Sequence, residues 1–90
     1  MSKIKKSDIR LVCTCSACPE QYDAMLGDQV VGYLRLRHGC FTVHYLHAGG
    51  EQIYSACPIG DGIFEHNERD GYLRKAVKAI VKKLREENYG

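Results

Sequence analysis

Long apolar runs are missing from this 90-residue chain, and none approaches the ~20 residues of a membrane-spanning helix. An excess of charge is missing too: 13 Lys and Arg stand against 11 Asp and Glu, and a net +2 does not by itself argue for nucleic acid. Only the placement of those charges can carry meaning. No internal repeat, low-complexity tract or linker interrupts the sequence, whose length suits a single two-layer domain, 1–90, that buries about 60% of its unfolded surface. An apolar secretory core is absent after the basic stretch Met1–Lys6, where Ser7 and Asp8 follow, so the expectation is a cytoplasmic protein with a flexible N-terminus over 1–8. Paired C-x-x-C knuckles are absent and the cysteine count of five is odd, so the thiols are expected to be reduced and metal-free.

What is present is alternation. Gly32 to Tyr45 is two alternating runs hinged on His38-Gly39, the period of a half-buried strand. A two-residue turn, with Gly39 supplying the positive φ, sets Leu36 opposite Phe41, Leu34 opposite Val43 and Arg35 opposite Thr42. The faces then agree. Leu34, Leu36, Phe41 and Val43 share one, while Tyr33, Arg35, Arg37, Cys40, Thr42 and His44 share the other; a one-residue slip would mix them.

Ile9–Cys15 reads as a first strand, with Ile9, Leu11, Cys13 and Cys15 on one face and Arg10, Val12 and Thr14 on the other. Pro19 breaks the ladder, Gln21–Leu26 forms a second strand, and Gly27-Asp28 turns into the third, Gln29–Arg37. Pairing Met25 with Val30 sends Asp23 toward the core opposite Gly32, which calls for a bulge or a sheet edge. A fifth strand spans Glu51–Ala56, where Ile53 and Tyr54 compete for the inner face. Cys57–Gly62 ends the sheet, and Ile63 and Phe64 are placed to fold back on the core.

The chain then becomes helical. Asn67 suits an N-cap, with Glu68 and Asp70 where the helix dipole favours negative charge. Leu73, Ala76, Val77, Ile80, Val81 and Leu84 recur at helical spacing, opposite Arg74, Lys75, Lys78, Lys82 and Lys83. The expected fold is α+β: an antiparallel sheet of about five strands with one C-terminal helix on one face, in the order βββββα. One helix covers one face and leaves the other open.

Cys18-Pro19-Glu20-Gln21-Tyr22-Asp23, Val31–Gly39 with Val43, Ile53-Tyr54, Gly60–Phe64 and Glu68-Arg69-Asp70 together resemble a family of small uncharacterised proteins from bacteriophages and their bacterial hosts. The likeness covers most of the chain. It implies a phage accessory protein that binds a host protein or a small signalling molecule, with an anti-defence role, and that does not catalyse.

The open-face group Tyr33, Arg35, Arg37, Thr42 and His44 is the candidate binding surface, since two guanidiniums beside an aromatic ring and a hydroxyl can clamp phosphate and stack a base. Its plain alternative is a solvated strand face. Cys13, Cys15 and Cys18, with Cys40, Cys57 and the histidines, form a second candidate as thiolate zinc ligands, against which stands their reading as small buried hydrophobes. Cysteine catalysis is not expected, because Cys40 and His44 lie ~13 Å apart along a strand. Gly60-Asp61-Gly62 before a helix has the look of a phosphate loop, but Glu65, Glu68 and Asp70 oppose an anion there. The lysines of the helix are the rival surface, for nucleic acid. The expectation is thus a non-enzymatic protein without cofactor, binding a host protein or an anionic nucleotide-like molecule, with a homo-oligomer as the arrangement that would close a small-ligand site.

Overall fold

Period-two alternation becomes five strands: β1 (Ile9–Cys15), β2 (Glu20–Leu26), β3 (Gln29–Arg37), β4 (Cys40–Tyr45) and β5 (Gln52–Ala56). They precede one helix, α1 (Arg69–Glu86). A computed structural model of the chain describes residues 4–16, 20–37, 39–47, 49–59 and 64–87. The strands form one antiparallel sheet in sequential order, β1-β2-β3-β4-β5, and α1 lies chiefly over β3, β4 and β5, giving the expected βββββα architecture. No helix among the described residues is long and apolar enough to cross a membrane.

The central hairpin has the expected register, with Leu36 opposite Phe41, Leu34 opposite Val43 and Arg35 opposite Thr42. Gly39 has φ +71°, the left-handed conformation that a tight turn of this hand demands; its turn partner His38 lies outside the described residues. Leu34, Leu36, Phe41 and Val43 are fully buried, and above them α1 contributes Ala76, Val77, Ile80, Val81 and Leu84. Each large side chain in that set stabilises the fold by about 1.5–3 kcal/mol before entropy is subtracted. Leu73 differs from its expected place: it is half-buried at the flank of the helix.

Two bulges settle the open registers. Between Ala24 and Met25 the pairing shifts, so that Met25 meets Val30 but Ala24 meets Gly32. Val31 is the extra residue, and Asp23 therefore sits opposite Tyr33 on the open face and not in the core. A second shift sets Tyr54 opposite Val43 on the core side while His44 meets Gln52, leaving Ile53 as the extra residue, also half-buried. Phe64 does fold back: it is 3% exposed, its ring 5.0 Å from Phe41 and stacked at 5.6 Å on Tyr72. Ile63 lies outside the described residues.

The helix starts later than Asn67. Glu68 is its N-cap, and the Glu68 carboxylate accepts the amides of Ile59 and Glu65 at 2.9 and 2.8 Å. Those bonds commit residues 65–68 to a turn of their own before the helix begins. At the other end of the chain, part of the stretch expected to be flexible is packed. Ile4 is 5% exposed in the core, its carbonyl accepts two bonds from Arg85 at 2.9 and 2.6 Å, and Lys6–Asp8 form a 3-10 turn closed by the Asp8 carboxylate on the Lys5 amide.

Candidate functional site

The five residues expected to share the open face do so. Tyr33 stands opposite His44 and Arg35 opposite Thr42, while Arg37 stands opposite Cys40 at the hairpin end. Because directly opposed side chains share a face, the row extends through β2 to Gln21, opposite Arg35, and Asp23, opposite Tyr33. Tyr33 donates its hydroxyl to Gln21 Oε1 at 2.5 Å, and its ring centroid lies 6.5 Å from that of His44. The His44 Nδ1 is 3.1 Å from the Gly50 carbonyl. A carbonyl only accepts, so Nδ1 carries the proton and Nε2 remains as an acceptor when the ring is neutral.

Tyr33, Arg35, Thr42 and His44 are half-buried among their strand neighbours, and Arg37 is exposed. Among the described residues neither arginine forms an ion pair. The bulge that turns Asp23 outward brings an acid diagonal to Arg35, at a cross-strand separation of roughly 7–8 Å. That spacing tempers the positive potential of the face without neutralising either guanidinium by contact.

The metal candidate comes apart at β1. A register shift after Cys13 sets Cys13 opposite Tyr22 and Cys15 opposite Gln21, whose side chains point to opposite faces of the sheet. The two thiols were expected on one face; the bulge at Thr14 separates them, although Cys13 Sγ still reaches the Cys15 carbonyl at 3.4 Å. Cys18 lies outside the described residues, and among those described no three His, Cys, Asp or Glu side chains gather as a metal site would require. Cys13, Cys40 and Cys57 are exposed.

The densest polar cluster is one the sequence pattern did not single out. Glu20, at the start of β2, is 2% exposed, and its carboxylate accepts Arg69 Nε at 2.8 Å, Arg69 Nη2 at 3.2 Å, the Phe64 amide at 3.0 Å and the Tyr22 hydroxyl. Burial pushes the carboxyl pKa up, but the bonds from Arg69, Tyr22 and Phe64 outweigh it and hold the group below the ordinary carboxylate range. Burial and then the neighbouring carboxylate raise the Tyr22 phenol well above its usual value, so it remains a donor. The bond to Glu20 likewise raises the Arg69 guanidinium. With its acceptor sites filled from within the protein, Glu20 anchors structure and offers no free oxygen for acid-base work. Its signal in the sequence was period-two spacing: Glu20, Tyr22 and Ala24 alternate onto the core face, where a carboxylate requires a cation.

The helix lysines are unequal. Lys83 is held by Glu51 at 3.1 Å and Glu87 at 3.4 Å, and Lys75 lies 5.4 Å from the Tyr72 ring centroid. Comparison of the chain with protein families, with curated proteins and with solved structures finds no match.

Proposed function

We propose that the protein is a non-enzymatic binding module of phage accessory type, working in the cytoplasm of a bacterial host, whose open sheet face engages an acidic surface of a host protein. The observation that carries this reading is the pair Arg35 and Arg37, without a carboxylate partner among the described residues, on the face opposite α1. Arg35 and Arg37 supply charge-assisted bonds to carboxylates, Thr42 supplies a hydroxyl, and Tyr33 with His44 supplies flat ring surface. A protein surface suits this face better than a small molecule, because small ligands favour concave sites and a sheet face is concave only if a second copy closes it. An anionic nucleotide therefore belongs to the homo-oligomeric version of the same reading. The resemblance to phage and host proteins adds its weight to a host partner and to an anti-defence role.

The rival reading, nucleic acid on the helix lysines, loses Lys83 to its two carboxylates. Affinity capture from bacterial lysate and a thermal-shift screen against nucleotides, cyclic nucleotides and short DNA and RNA separate these readings, each run with the parent and with Arg35→Ala/Arg37→Ala. The expected result is a host protein captured by the parent and lost from the arginine variant, with retention falling only moderately in salt. A steep salt dependence with DNA or RNA, insensitive to the arginines, favours the lysines. Binding of every kind unchanged by the arginine variant overturns the open-face reading.

A further inference from the structure

A second surface lies on the helix side of the sheet. Between α1 and the N-terminal segment run two adjoining grooves of about 620 and 560 Å³ that share Lys6. Their floor is apolar: Leu11 of β1 with Leu73, Val77 and Val81 of α1. The half-burial of Leu73, at odds with a strict helix-on-sheet packing, is explained by its position in this floor. The rim is basic, formed by Lys5, Lys6, Lys78 and Lys82, with Arg74 and Arg85 toward the two ends.

Among the described residues none of these four lysines has a carboxylate within ion-pair distance, in contrast to Lys83 on the far flank. The two arginines are committed to backbone carbonyls, Arg85 to Ile4 and Arg74 to Asp70. Along α1 the trough extends from Asp70 to Glu86, about 24 Å at 1.5 Å per residue.

We propose that this trough docks an acidic amphipathic helical segment of a partner protein, its apolar stripe on Leu11, Leu73, Val77 and Val81 and its carboxylates meeting the four lysines. The charge complementarity is specific to that chemistry. A nucleic-acid backbone, bound by charge alone, gains nothing from the apolar floor. A bilayer requires apolar groups that protrude, and these are recessed between α1 and the N-terminal turn. A helix of four to five turns matches the length of the trough, and laying an apolar helical face into a groove is a common mode of peptide capture. This surface is distinct from the open face and stands or falls independently of it.

The test is fluorescence anisotropy with a fluorescein-labelled 18-residue peptide carrying leucines on one helical face and glutamates elsewhere. An isomer of the same composition with its leucines dispersed, a 20-base-pair DNA duplex, and phosphatidylcholine vesicles containing phosphatidylserine serve as comparisons. The expected result is saturable binding about tenfold tighter than the isomer, weakened about tenfold by Lys78→Glu/Lys82→Glu and unchanged by Arg35→Ala. Both lysines are exposed, so unchanged circular dichroism certifies that variant as folded. Equal binding of the two peptides, indifference to the lysine reversal, or tighter binding of duplex or vesicles through the same lysines overturns the proposal.

Discussion

Arg69, in the first turn of α1, grips Glu20 at the start of β2 through Nε at 2.8 Å and Nη2 at 3.2 Å. The pair is 49 residues apart in sequence and pins the helix entry to the sheet. The same carboxylate takes the Phe64 amide, so the connection into the helix is held at the same point. Breaking such a pair from the cationic side leaves a buried charge with fewer donors, which is costlier than never having built it. Arg69→Ala is expected to lower stability by about 3 kcal/mol, the low end for a buried pair because Arg69 is a third exposed. Urea denaturation reads this directly, and a loss under about 1 kcal/mol would mean that the pair is only a surface contact.

A pH dependence follows from the same carboxylate. Its folded pKa lies below its ordinary value of 4.5, so its stabilising contribution is complete above that value and drains away as pH falls through the folded pKa. Unfolding midpoints in urea should therefore decline on acidification below about pH 4.5. Glu20→Gln should be less stable at neutral pH by about 1.5–3 kcal/mol and show a shallower acid decline. Parallel pH profiles for parent and variant would show that other carboxylates govern acid unfolding.

The strands, the central hairpin register and the polar face were legible because alternation and turn chemistry are local. Leu34 and Phe41 declare their face without knowledge of the rest of the fold. The bulge at Val31 was legible only as a conflict, since Asp23 could not sit opposite Gly32 in the core, and the chain resolved it by inserting a residue. Thr14 gave no such warning, because Cys13 and Cys15 are acceptable on either face. The Glu20 clamp was hidden for another reason. Its partner lies beyond the whole sheet in sequence, and no periodicity ties a strand residue to a helix entry. The five open-face residues were placed from the sequence, whereas the acid among them was not, because its position depended on that bulge.

Gly39 holds a left-handed turn conformation that is costly for most other side chains. At φ +71° a β-branched residue meets backbone strain, while space is not the obstacle, since a Cβ there has no neighbour within 4 Å. Gly39→Val is expected to lose about 1–2 kcal/mol in thermal or chemical denaturation, and Gly39→Asn markedly less, because Asn tolerates the left-handed region. Equal losses for the two would place the cause outside the backbone torsion.

Gly32 is glycine for a different reason, and the difference can be measured. It stands opposite Ala24 on β2 and Tyr45 on β4, directly beneath α1. A Cβ built on it would lie 2.5 Å from Ile80 Cδ1, 3.1 Å from Ile80 Cγ1 and 3.3 Å from the Ala24 Cβ. The absence of that one carbon therefore lets Ile80, fully buried, settle on the sheet. Gly32→Ala is expected to cost about 1–3 kcal/mol by overpacking, even though alanine has less backbone entropy to lose than glycine. Ile80→Val removes Cδ1, the atom in closest conflict, and alone costs about 0.5–1.5 kcal/mol. If steric conflict is the cause, the two changes together should cost less than their sum by about 1 kcal/mol, a coupling that a double-mutant cycle in urea resolves. Strict additivity would instead assign the requirement for glycine to the bulged backbone at Val31 and Gly32, independent of the helix above it.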